Sequence, residues 1–177
     1  MYELYDSEAG DYIRRLVAFL DEAKIDRRLA AVERELATEK GIYGQVWARP
    51  RLQWWLGFRD ARAVLDEQGT LRGQVQPSMY PAINTAVKLF HLSHSMPPKI
   101  AKELSSRIIA ADDLTAVLLE IDIAALLQSS GHEIEWLMSA GDGSRCAEFV
   151  AHRGEMHLEV ECKTESADDG RRLCDVV

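Results

Sequence analysis

Apolar residues recur at three- and four-residue intervals through the first 111 positions. Tyr12, Ile13, Leu16, Val17 and Leu20 share one helical face, and Ile25, Leu29, Val32 and Leu36 share another. The two faces do not line up across Ala23 and Lys24, which predicts two helices or one kinked there. Gly41 and Gly44 close this unit. Residues 51–67 form another expected helix. Pro81 opens a helix running to about His94, and Pro97 and Pro98 open one running to about Ala110. Proline suits such positions because the first helical turn does not use its missing N–H.

The pattern changes at Asp112 and Asp113, acids that suit a helix N-terminus. Residues 114–128 follow and are apolar nearly all round: Val117, Leu118, Leu119, Ile121, Ile123, Leu126 and Leu127. A helix apolar on every side is a buried one. Gly131 supplies its stop. Three strand-like runs come next, at 132–138, 145–152 and 156–164. Residues 139–143 separate the first pair, and Arg153, Gly154 and Glu155 give a short hairpin signal between the second pair. The predicted class is α+β, with an all-helical region at 1–111 and a helix–strand–strand–strand unit at 112–177.

Composition narrows the class further. The 177 residues are 47% hydrophobic and 28% charged, as in a soluble globular protein with a real core. No apolar run approaches bilayer length. The N-terminus is acidic and lacks the basic-then-apolar order of a signal peptide. Cys146, Cys162 and Cys174 form neither a CxxC pair nor a zinc spacing, which fits a reducing cytoplasm. The net charge of −8 is unevenly distributed. Residues 112–177 carry 15 acids and 5 bases, residues 41–111 carry 4 and 9, and residues 1–40 carry 10 and 7. An acidic total argues against coating nucleic acid by bulk charge, but not against a carboxylate site beside a basic middle segment.

Candidate chemistry concentrates in the acidic end. On the strand at 156–163, Leu158, Val160 and Cys162 alternate to one face, and Glu159, Glu161 and Lys163 to the other. Taken alone, such a face is a solvated one. The hairpin, however, sets Glu148 and Glu161 on neighbouring strands. Two carboxylates held close repel, and a divalent cation between them removes the penalty. Mg²⁺ takes oxygen ligands, and the Cys162 carbonyl is a further one within reach. Glu120 and Asp122 lie in the apolar helix, where an acid needs a partner. The plain reading of either is an arginine salt bridge or a cap. The two point about 200° apart around the axis, so one at most faces the strands.

Together these residues resemble the PD-(D/E)xK, or restriction-endonuclease-like, nuclease superfamily. The resemblance rests on Glu120 in the leading helix, residues 131–136 entering the first strand, Glu148 on the second, and Glu161, Cys162 and Lys163 on the third. It implies metal ligands Glu148, Glu161 and the Cys162 carbonyl, catalytic Lys163 beside the attacking water, and accessory Glu120. It also implies Mg²⁺, with Mn²⁺ as substitute, and a nucleic-acid substrate, DNA in the first instance. The superfamily core continues with a helix and a fourth strand, so the expected core is a partial one, truncated at its C-terminal side.

The basic middle interleaves Arg49, Arg51, Arg59 and Arg62 with Trp47, Trp54 and Trp55. Arginines and aromatics in that arrangement can grip phosphates and stack bases. The plainer reading is an amphipathic helix with a tryptophan core contact. His91 and His94 have no nearby acids or cysteines and suit a surface turn. Three functions stay open: a metal-dependent nuclease, a nuclease-like scaffold that binds nucleic acid or a protein partner without cutting, and a salt-bridged surface in an assembly protein. Membrane partners are not expected, and a homodimer is compatible.

Overall fold

A computed structural model describes residues 6–38, 50–66, 70, 74–110, 114–137 and 148–162. Among these the fold is α+β, with six α-helices, a short 3-10 helix and a three-stranded antiparallel sheet in the order β1-β2-β3.

Helix α1, Asp6–Leu20, buries Ala9, Ile13, Leu16 and Leu20, and helix α2, Glu22–Thr38, buries Ile25 and Val32. The break falls at Asp21, two residues before the predicted site at Ala23–Lys24. Asp21 has φ 72°. Its carboxylate accepts the N–H groups of Ala23 at 3.1 Å and Lys24 at 3.4 Å, which caps α2. Aspartate tolerates the left-handed region because its side chain bonds the local backbone. That single residue rotates the apolar face between Leu20 and Ile25.

Helix α3, Pro50–Ala63, carries the densest part of the core. Trp54, Trp55 and Phe58 are fully buried, with Trp54 stacked on Phe58 at 5.4 Å and Trp55 edge-on to both. Trp54 Nε1 donates to Thr85 Oγ1 at 3.1 Å. Gly57 sits against the 3-10 helix Pro77–Met79, where an added Cβ would stand 2.0 Å from the Ser78 carbonyl oxygen. Helix α4, Tyr80–Ser93, has proline in its first turn, as does α5, Pro98–Ala110. Both agree with the sequence signals at Pro81 and Pro97–Pro98.

Helix α6, Leu114–Ser129, explains its own composition. It packs against α3, α4 and α5 on one side and against β1 and β2 on the other. These contacts account for the buried Leu114, Val117, Ile121, Ala124 and Ala125, but the helix is not buried on every side as its composition suggested, since Leu126 is 60% exposed. Gly131, at φ 85°, ends it, with His132 N–H bonded back to the Leu127 carbonyl at 3.1 Å. Asp112 and Asp113, expected at its start, lie outside the described residues.

The sheet comprises β1 Glu133–Trp136, β2 Phe149–Arg153 and β3 Met156–Val160. Each is shorter than predicted, and positions 138, 145–147 and 163–164 of the predicted runs lie outside the described residues. Ile134 pairs with Ala151 and Trp136 with Phe149. Across the hairpin Ala151 pairs with Leu158 and Phe149 with Val160, the turn closing at Gly154 with φ 61°. Ile134, Phe149 and Ala151 are buried on the inner face. They belong to one hydrophobic cluster that runs back through α6 to Ala9. Among the described residues, no helix is long and apolar enough to cross a membrane.

Gly57 gives a test of this packing. Gly57→Ala drives a methyl into a backbone carbonyl that cannot rotate away, and such overpacking typically costs about 1–3 kcal/mol. The thermal midpoint followed by circular dichroism should fall by several degrees. An unchanged midpoint would contradict the close approach of α3 to the 3-10 helix.

Candidate functional site

Three elements converge beyond the inner end of the sheet. Helix α6 contributes Glu120, whose side chain is only 3% exposed. Helix α5 contributes Arg107, and the chain entering β2 contributes Glu148. Arg107 grips Glu120 with both terminal nitrogens: Nη1 donates to Oε2 at 2.7 Å, and Nη2 donates to Oε1. The same Nη1 stands 3.8 Å from Oε2 of Glu148. One guanidinium therefore faces two carboxylates from different elements. Asp122 turns the other way, toward solvent and Lys88 Nζ at 2.7 Å. Of the two acids in α6, Glu120 is the one that faces the strands.

Simple alternation would place Glu148 on the face opposite Phe149. The backbone shows why it does not. Glu148 N–H donates to the Val160 carbonyl at 2.7 Å, although Val160 is already the ladder partner of Phe149. Glu148, just before β2, and Phe149 thus both oppose Val160 of β3, which is the pattern of a β-bulge at the strand end. Bulges re-aim side chains at sheet ends. Toward β1 the ladder stays regular, with Leu137 N–H bonded to the Glu148 carbonyl at 3.1 Å. Glu148 is thereby fixed on both sides while its carboxylate reaches the inner edge.

Cys162 lies half-buried beside this group. Burial, and then the charges of Glu120 and Glu148, push its thiol up to about 11, against a smaller opposing effect of Arg107. The neutral thiol is what a small core residue next to two acids requires. Burial works against the charge on Arg107, but the Glu120 hydrogen bonds and the charges of Glu120, Glu148 and Glu103 outweigh it and hold the guanidinium above its ordinary range. A cavity of about 10 Å³ adjoins the pair, lined by Ile100, Glu103, Leu104, Arg107, Glu120, Trp136 and Leu137. That is room for a water and not for a nucleotide.

The structure thus brings together Glu120, Glu148 and Cys162. Glu161 follows Val160, the residue that Glu148 bonds, but its side chain is exposed. Among the described residues, no three acids, histidines or cysteines lie close enough to hold a metal ion. Lys163, the expected catalytic residue, lies outside the described residues. Glu120 and Glu148 share the Arg107 guanidinium, and carboxylate oxygens are of the type that a hard divalent ion takes.

The expected nucleic-acid contacts stand elsewhere and are engaged. Arg51 donates to both oxygens of Glu35 at 2.6 and 2.8 Å. Arg62 reaches Asp26 at 2.6 Å and Glu22 at 2.8 Å. Arg59 pairs with Asp60 at 2.9 Å and Glu33 at 3.8 Å. These arginines tie α3 to the acids of α2, and Trp54 and Trp55 are too buried to stack on a base. Arg49 and Trp47 lie outside the described residues. Arg107 was the residue that local spacing missed: it precedes Glu120 by 13 positions, on a different helix.

Cys162 carries a test of the electrostatics. Its folded-state value is raised, so its contribution to stability is whole below the ordinary value of 9.0 and is lost as pH climbs from there through about 11. Peptide-mapped alkylation of the native, metal-free protein at pH 8–9 should label Cys162 far more slowly than the same peptide after denaturation. Equal rates in both states would mean that Cys162 is neither half-buried nor beside the two carboxylates.

No protein-family model, curated protein or solved structure matches this chain.

Proposed function

We propose that the chain carries the core of a metal-dependent nuclease that hydrolyses phosphodiester bonds in DNA. The observation that carries this reading is the meeting of Glu120 and Glu148 at a single cation, beside the strand end that leads into Glu161, Cys162 and Lys163. The leading helix, the antiparallel strands and the hairpin support it, since they are the frame on which PD-(D/E)xK enzymes display these residue types.

Glu120 and Glu148, with the Cys162 carbonyl, would hold Mg²⁺ or Mn²⁺; Glu161, exposed and alternating away from Cys162, would have to turn inward at the strand end to join them. A bound divalent ion supplies an acidified water and screens charge developing on the phosphate. Lys163 would orient the attacking water and stabilise the developing negative charge. Glu120 is held without freedom to wander, which favours a fixed donor geometry.

A second reading draws on the same pair. A guanidinium that satisfies both oxygens of a buried carboxylate also suits a scaffold that binds nucleic acid or a protein without cutting it.

Cleavage separates the two. The full-length gene product should nick supercoiled plasmid with Mg²⁺ or Mn²⁺ and stop on chelation, with short RNA as the competing substrate. Lys163→Ala should reduce the rate by about 10²–10³, the usual cost of losing a group that stabilises developing charge. It should leave the thermal midpoint within a degree or two, because truncating a polar-face lysine removes little packing. Cleavage indifferent to chelator, or to Lys163, would overturn the enzyme reading. Absence of cleavage on every substrate would leave the scaffold.

A further inference from the structure

We propose that the side of α2 turned away from α3 is a contact surface for the phosphodiester backbone of a nucleic acid, with Lys24 and Arg27 as its phosphate-binding groups. The inference rests on the nucleic-acid substrate of the reading above, and on neither its metal nor its catalytic step.

The charges of α2 are sorted by side. Glu22, Asp26 and Glu33 lie within about 40° of one another around the helix axis. Glu22 and Asp26 meet Arg62 of α3, Glu33 meets Arg59, and Glu35 meets Arg51. The acids of α2 are thus all engaged by arginines of α3. Ile25, Leu29, Val32 and Leu36 take the core side. Lys24, Arg27, Arg28 and Arg34 remain, grouped around Ala31 on the side opposite Glu22 and Glu33.

A pocket of about 430 Å³ opens on that side, lined by Lys24, Arg27, Arg28, Ala31 and, from α5, Ile109. Among the described residues, three cations and no acid line it. The neighbouring helix brings hydrocarbon to the wall and not a counter-charge. Arg27 is exposed, and its Nε donates to the Ala23 carbonyl at 3.1 Å. Arg34 repeats the arrangement with the Ala30 carbonyl at 3.1 Å. Each bond steadies a guanidinium against its own helix and leaves both terminal nitrogens as donors. Lys24 stands 4.0 Å from Asp21, too far for a hydrogen bond.

Like charges gathered in one concave site favour an anion there. The extent of the surface selects a long one. Arg34 stands about 10 Å beyond Arg27 along the same side of the helix. A free phosphate covers a fraction of that line, whereas a nucleic-acid strand carries a charge about every 3.4 Å along its axis and meets it throughout. Among the described residues, no aromatic side chain lines the pocket, so the contact is to the backbone and not to bases.

Fluorescence anisotropy with a short labelled DNA duplex tests this, in chelator so that neither metal nor cleavage takes part. Wild type should bind, with an affinity that falls as salt rises. Lys24→Ala/Arg27→Ala should weaken binding at low salt by about tenfold and make the salt dependence shallower by about 1–2 in log–log slope. Its thermal midpoint should hold, because both side chains lie outside the core. Lys99→Ala/Arg153→Ala removes the same charge from exposed positions on α5 and the hairpin, and should bind close to wild type. RNA of the same length shows which of the two backbones is preferred, and the loss in Lys24→Ala/Arg27→Ala is expected on whichever binds. Equal losses in the two double variants, or no binding of either nucleic acid by wild type, would overturn the inference. The outcomes separate from those of the nuclease reading. Binding that depends on Lys24 and Arg27, with no cleavage in Mg²⁺, sinks only the nuclease. Metal-dependent cleavage with unchanged binding in Lys24→Ala/Arg27→Ala sinks only this surface.

Discussion

A carboxylate that is 3% exposed, in the middle of the most apolar helix of the chain, constrains everything around it. Glu120 needs a positive group, and that group must come from a neighbouring element because its own helix has no lysine, arginine or histidine. Arg107 supplies it, and in doing so joins α5 to α6 at the point where α6 meets the sheet. Removing one partner of such a pair costs about 3–5 kcal/mol, a sizeable share of the stability of a domain this size. Glu148 then enters the same field, brought inward by the bulge at Val160. Fold and site are coupled here: the contact that satisfies a buried charge also gathers two carboxylates from different elements.

Helix α6 makes this possible by serving two layers. Ile121 and Ala124 lie in the cluster that also holds Trp54, Ile83, Leu104 and Phe149. Because α6 is packed on both sides, Glu120 cannot rotate into solvent as an acid on a surface helix would. The arginines of α3 follow a different rule. Arg59 and Arg62 stay near the surface while Arg51 is half-buried, and all three bind the acids of α2 and hold the two helices in register. Ion pairs of that kind contribute little each, about 0–1 kcal/mol, and serve orientation more than stability.

Periodicity made the order of elements legible, including the helix that is apolar all round and the hairpin at Gly154. Glu120 was separable from Asp122 because the two lie on opposite sides of a helix, one inward and one toward Lys88. Three things were not legible, each for a physical reason. The turn at Asp21 depends on a left-handed backbone that aspartate tolerates without announcing it. The bulge at Glu148 shifts a side chain by a backbone bond that no hydrophobic pattern encodes. Arg107 and the partners of Arg51 and Arg62 lie 13 to 40 residues away in sequence, beyond any local spacing rule.

What binds between Glu120 and Glu148 decides whether this group is a metal site or a closed ion pair. A crystal structure of the protein soaked in Mn²⁺, with the ion located by its anomalous scattering, answers that in one map. A metal-dependent nuclease core gives an anomalous peak beside Glu120 and Glu148. A map at saturating Mn²⁺ with the peak elsewhere or absent, and Arg107 still forked onto Glu120, would contradict it.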